Sequence, residues 1–199
     1  DESGEFSVIT LDSEEGLDIL RHSSAHVLAQ AVLDLFEGST FAIGPAIEDG
    51  FYYDFKVGEP FTPDDLERIE ARMKEIISED QPFEREALST SDALALFASH
   101  PFKTEIIESV EPSELTPGED VTVYRNIGFV DLCRGPHLPS TGRIPAVKLL
   151  RSSGAYWRGD EKRDQLQRIY GTPWPSAKDL DAHLTQLEEA EKRDHRRLG

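Results

Sequence analysis

The sequence predicts an α+β domain, a mainly antiparallel sheet with helices packed on it, a central His-bearing helix and a long C-terminal linker helix. Three observations carry that prediction. Alternating β-branched and aromatic stretches cluster between residues 121 and 172, a hairpin pattern lies at 40–55, and segments 17–36 and 61–80 place apolar residues at helical spacing. Strands and helices thus come in runs and do not alternate as a parallel sheet requires. At 199 residues with 38% hydrophobic content, the chain has enough apolar material for one sizeable core.

In chain order, residues 5–10 read as a short strand. Residues 17–36 form a helix whose Leu20, Val27, Leu28, Ala31 and Leu35 share a broad face, with a narrow polar stripe of Ser23, Gln30 and Asp34; it is expected to be buried on most sides. TFAIGPAIEDGFYYDF (40–55) gives two strands around an Asp49-Gly50 turn. Residues 61–80 open with Thr62 as N-cap and Pro63 at the first helical position, and line up Leu66, Ile69, Met73 and Ile76. FEREAL reads as a strand and SDALALFAS as a short helix starting at Ser91, while KTEIIESV fits helix or strand and EPSELTPGED is a loop. VTVYRN, GFVDLC, AVKLLRSSGAYW and QLQRIYGT supply three or four strands that join the hairpin in the sheet. Residues 176–198 form the last helix, apolar or neutral at Leu180, His183, Leu184 and Leu187 and charged all round after that, the pattern of a helix that bridges to something else.

Charge and cysteine usage narrow the function classes. The formal net charge is −18, which disfavours a polyanionic partner at long range, yet it is unevenly spread. Residues 121–170 carry nine Lys and Arg against four Asp and Glu, so this stretch is basic and is either a phosphate-facing surface or a solvated face. A lone cysteine, Cys133, and the lack of a 20-residue apolar run lead to the expectation of a cytoplasmic protein with no membrane partner.

Two x₃-spaced pairs hold the chemistry. HSSAH sets His22 and His26 one helical turn apart, and in VDLCRGPH the side chains of Asp131 and Cys133 leave one side of a strand while Gly135-Pro136 turns His137 back toward them. Three imidazoles and a thiol suit a tetrahedral zinc site, or a metal-free site in which imidazoles orient or deprotonate a water. A zinc peptidase is excluded because Ser23 stands where the glutamate belongs, a zinc deaminase because a second cysteine is lacking, and there is no glycine-rich phosphate loop. A Cys133–His137–Asp131 hydrolase remains possible on residue types, but the three sit too close in sequence for the usual dyad geometry.

Together HSSAH, AIGPAIEDGFYYDF, VDLCRGPH, SSGAYWRGD, LQRIYGT and EEAEKRDHR resemble, in one colinear order, the N-terminal editing domain of bacterial-type threonyl-tRNA synthetases. The resemblance implies that residues 1–16 are the end of a ubiquitin-like domain and linker, 17–175 the editing domain, and 176–199 a linker helix toward an aminoacylation domain, with no ligase activity in the chain itself. It implies hydrolysis of seryl-tRNA(Thr), catalysed by His22, His26, Lys103, Asp131, Cys133 and His137, with Gly44 and Tyr53 shaping the serine pocket. Arg151, Arg158 and Lys162 are expected to meet tRNA. The implied site has no metal and no cofactor, although alanyl-type editing domains share the pattern and hold zinc, here His22, His26, Cys133 and His137. The full-length enzyme is expected to be a homodimer through its other domains, and this chain a monomer. A non-catalytic tRNA-binding module and a zinc-stapled structural domain are the readings from other classes.

Overall fold

A computed structural model describes residues 8–109 and 121–197. Residues 8–10 carry no strand, the rest of the 5–10 expectation lies outside the described residues, and so does the 111–120 loop.

Helix α1 (Glu14–Leu35) begins three residues earlier than its periodicity indicated, because Ser13 caps it by accepting from the Gly16 amide and Glu14 and Glu15 suit the positive end of the helix dipole. Its residues 23–32 are buried without a break. Of the expected polar stripe only Asp34 reaches solvent. Ser23 and Gln30 bond inward, Gln30 to Gln81 and to the Ile127 carbonyl, and Asp34 takes Arg72 from the next helix.

The strands divide between two antiparallel sheets. The larger pairs β1 (Thr40–Phe41), β3 (Gly50–Lys56), β8 (Gln165–Trp174) and β7 (Ala146–Tyr156) in that order, with β2 (Ala46–Ile47) also on β3. The smaller holds β4 (Glu84–Leu88), β5 (Val121–Asn126) and β6 (Phe129–Leu132). The single sheet expected from the sequence is split because β5 spends one edge on β4 and the other on β6, leaving no edge for the larger sheet. Helix α2 (Pro63–Ser78) starts in a capping box, Thr62 with Asp65, and buries Ile69, Met73 and Ile76.

Two short helices, α3 (Thr90–Leu96) and α4 (Pro101–Ser109), lie between β4 and β5. The ambiguous KTEIIESV belongs to α4, where helical spacing buries Lys103 and Ile107 together. The last helix, α5 (Ala177–Arg197), rests only its first turns on the larger sheet, with His183 against Trp174; its later turns are exposed. Helix α1 packs on α2 and on β3 and β8, and the core gathers Leu20, Leu28, Phe51, Phe55, Ile69, Met73 and Ile169. That burial fixes which turn of α1 faces the small sheet.

Candidate active site

The buried turn of α1, the end of β6 and the loop after it, and the start of α4 converge on one polar centre. Cys133 Sγ lies 3.1 Å from His22 Nε2 and 3.2 Å from His137 Nε2, and the two imidazoles stack with centroids 4.3 Å apart. His22, Cys133 and His137 offer three donor atoms within 4.8 Å of one another. His26, although one turn along the same helix, is not in that set. It sits deeper, 2% exposed, edge-on to Phe83, Phe129 and His137.

Hydrogen bonds tie this cluster together. The Leu138 amide donates to Ser23 Oγ, which also lies 3.0 Å from His137 Nδ1, so Ser23 holds the His137 ring from the side away from the sulfur. Cys133 Sγ also accepts from the Gly135 amide at 3.2 Å and faces the Nε2 atoms of His22 and His137. The loop passes through a cis Gly135–Pro136 bond, and Gly135, at φ +73°, lies so close to the Tyr124 hydroxyl that a side chain there would overlap it.

Behind the cluster lies a buried triangle. Lys103 Nζ stands 2.7 Å from Asp131 Oδ1 as an ion pair and donates to Tyr53 Oη at 2.9 Å, while Tyr53 donates to Asp131 Oδ2 at 2.7 Å. Gly44 packs flat on the Tyr53 ring, where any Cβ would overlap it. Burial raises the Tyr53 phenol well above its ordinary range, and the Asp131 charge adds to the effect. Burial also keeps the cluster neutral. It lowers His22, takes His26 to about 3 and His137 to about 2 with help from neighbouring imidazoles, and lifts Cys133 to about 12.

A cleft of about 410 Å³ opens beside this centre, lined by His22, Pro45, Ala46, Gly135, Pro136 and Asp18. Of the predicted catalytic residues only His22 lines it. The predicted tRNA-binding residues stand apart from the centre. Arg151 lies over the Tyr170 ring on the larger sheet, Arg158 pairs with Glu105 at 3.3 Å, and Lys162 is exposed near the β7–β8 connection. Sequence reasoning missed Ser23 and Asn126, whose polarity inside a buried helix and at a strand end was the available signal, and Phe83, which had none.

Residues 121–170 match the family model described as the threonyl and alanyl tRNA synthetase second additional domain. The family resemblance carried by the motifs holds along nearly the whole chain, which is similar to one segment of threonine–tRNA ligases. The ligase of Hyphomonas neptunium is 55% identical over 196 residues, covering 97% of this chain and 29% of the relative. That of Acidithiobacillus ferrooxidans is 54% identical over 201 residues (100% and 30%), and that of Rhodospirillum rubrum 55% over 196 residues (97% and 30%). The chain spans about three tenths of the length of the curated relatives it matches.

Proposed function

We propose that this chain is the editing part of a threonine–tRNA ligase and hydrolyses seryl-tRNA(Thr), sparing threonyl-tRNA(Thr). The observation that carries the reading is the Cys133–His22–His137 cluster opening on a cleft, with the Lys103–Asp131–Tyr53 triangle behind it. Serine and threonine differ by one methyl group, and a pocket separates such a pair by only about 1–3 kcal/mol, so accuracy beyond that calls for a second, hydrolytic sieve. The reaction consumes one water and one ester and yields serine and the free 3′-terminal hydroxyl of the tRNA.

In this reading His22 Nε2, the one catalytic imidazole on the cleft, turns from the Cys133 sulfur to the attacking water, accepts a hydrogen bond from it and takes its proton, while the thiol keeps its own. His137 and Cys133 orient His22. Lys103 stabilises charge on the ester or the leaving oxygen, and Asp131 holds Lys103 and takes part in gripping the serine amine. In the same reading Gly44, packed on the Tyr53 ring, and Tyr53 shape the serine pocket that excludes the extra methyl group of threonine. Residues 17–175 are the editing unit, 176–199 the linker toward the aminoacylation domain and 1–16 the end of the preceding domain; the site of action is the cytoplasm.

Three donor atoms within 4.8 Å also favour a second reading, a zinc-dependent deacylase of the alanyl type. His22, Cys133 and His137 fit such an ion, which would lower the pKa of a bound water. The metal-free reading is preferred because hydrogen bonds among Ser23, His137, Cys133 and His22 already satisfy these groups. Incubation with both aminoacyl-tRNAs tests the function: release of serine alone is expected, and equal release of both amino acids rules out the second sieve. Full deacylation after chelation supports the metal-free reading; loss of activity together with one zinc per chain overturns it.

A further inference from the structure

Helix α4 carries Lys103 into the site, yet at nine residues it is too short to hold its place by its own hydrogen bonds. Two parts of the molecule hold it from two sides. Lys103 and Ile107, one turn apart, are buried, Ile107 in the main core and Lys103 against Asp131 and Tyr53. Phe102, Glu105 and Ile106 lie on the neighbouring side of the helix. There Phe102 packs on the Trp157 ring, with centroids 5.0 Å apart, in a small cluster with Ala42 and Leu166 that is separate from the main core, and Ile106 packs against it.

Glu105 is the polar part of this clamp. The Trp157 indole donates from Nε1 to Glu105 Oε2 at 3.1 Å, Arg163 grips both carboxylate oxygens at 2.9 and 2.6 Å, and Arg158 Nε stands 3.3 Å from Oε1. All three donors come from residues 157–163, the turn that joins β7 to β8. Trp157 is 3% exposed, so the turn is rooted in the protein and does not merely lie on it. A forked guanidinium on a carboxylate is directional, and it restrains Glu105 more closely than a single ammonium could.

We propose that Glu105 is a positioning residue for the hydrolysis: tied to Trp157 and Arg163, it sets where α4 sits and thereby where the Lys103 ammonium stands against Asp131 and the ester. Arg163, which charge alone would count among the RNA-facing cations, then acts on the rate of the reaction and not on the affinity for RNA. Stabilisation of developing charge falls steeply when the charged group is misplaced by as little as about 1 Å. The inference rests on the editing reading for the reaction that Lys103 serves, but not for where Lys103 stands.

Lys103 Nζ lies 4.6 Å from the centroid of the Phe41 ring and 5.4 Å from that of Tyr53, so ring currents set its ε-methylene signal apart from those of exposed lysines. Carbon–proton correlation on the lysine-labelled chain, with Lys103 assigned by its loss in Lys103→Arg, reads that position without any substrate. Glu105→Ala and Arg163→Gln are expected to move the signal toward the exposed lysines. Glu105→Gln, which keeps an acceptor for Trp157, should move it less than Glu105→Ala. Thr62→Ala, destabilised at a distance, should leave it in place, which separates positioning from a general loss of stability. Arg163 is 41% exposed, so Arg163→Gln keeps the test open should Glu105→Ala not fold. A signal that Arg163→Gln and Glu105→Gln both leave unmoved overturns the proposal.

With seryl-tRNA(Thr), Glu105→Ala should lower kcat by about tenfold and change KM by less than about twofold. Arg163→Gln should follow it to a lesser degree, with the wild-type slope of log affinity against log salt. A raised KM with a reduced salt slope in Arg163→Gln makes that residue an RNA contact and overturns the proposal, as does an unchanged kcat beside a moved signal. Absence of any deacylation in the wild type overturns the editing reading, while the Lys103 signal still decides what Glu105 does.

Discussion

His22 and His26 differ by one turn of α1, and that turn separates the cleft from the interior. The i, i+4 spacing put both on one face, which was legible in the sequence; it could not tell that Phe83 and Phe129 would close over the inner one. The same limit hid Ser23 and Asn126, since their partners lie 115 and 44 residues away and only folding brings them together. The neutral histidines have a consequence for stability. In the unfolded chain they titrate near 6.5, whereas folded His26 and His137 hold out to about 3 and about 2. The unfolded state therefore binds more protons below about pH 6.5, and stability falls as pH drops through that window, by up to about 1.4 kcal/mol per pH unit for each group. Urea titrations at pH 7 and pH 5 should show the loss, and His26→Gln should reduce it. Replacing His137 by Ala should slow deacylation at least about tenfold. Replacing Lys103 by Ala should do the same and also cost about 3–5 kcal/mol of stability, because Asp131 is left as a buried, unpaired carboxylate. Rates and denaturation curves for the two variants separate chemistry from folding.

At the level of elements, local signals sufficed where local physics decides. Thr62 and Pro63 announced the start of α2, and the capping box with Asp65 is there in the structure. Thr62→Ala should cost about 1 kcal/mol, read as a lowered urea midpoint at unchanged slope. The apolar positions of α2 likewise reached the core as its period required. Where two periods fit equally, as in KTEIIESV, the choice rested on what α4 packs against, and the sequence does not contain that. Strand partnership is still less local. VTVYRN and GFVDLC were recognisable as strands and join through the two-residue turn Ile127-Gly128, but pairing β5 with β4 depends on a register across roughly thirty residues of intervening chain. Helix α5 shows the converse. Its charged second half was read as projecting, and the structure rests only Leu180, His183 and Leu184 partly against the body. Removing residues 190–199 should leave the melting temperature within about 2 °C, since the side chains described there are exposed, whereas Leu184→Asp should lower it measurably.

Across the molecule, charge is the property that most constrains how a tRNA could approach. The −18 total repels a polyanion at a distance, so any binding must come from local cations close to the phosphates. The basic 121–170 stretch was legible as composition, but the structure sorts its members by what they already hold. Arg158 and Arg163 share Glu105, and Arg168 is clamped by Asp54, so their charge is largely answered within the protein. Among the described residues, Arg151 and Lys162 have no carboxylate partner. The three predicted tRNA-binding cations are thus unequal. Reversing Arg151 and Lys162 together should weaken tRNA binding and reduce the slope of log affinity against log salt, because every phosphate left without its cation keeps about 0.7–0.9 of a condensed counterion that binding would otherwise release. Arg158→Glu should change the slope less than either, since the guanidinium must first leave Glu105 to reach a phosphate. Filter binding or fluorescence anisotropy at several salt concentrations reads all three variants against the wild type. A slope that is the same in every variant returns the whole stretch to a solvated face, and one that falls most for Arg158→Glu shows that Glu105 releases its partner to the tRNA.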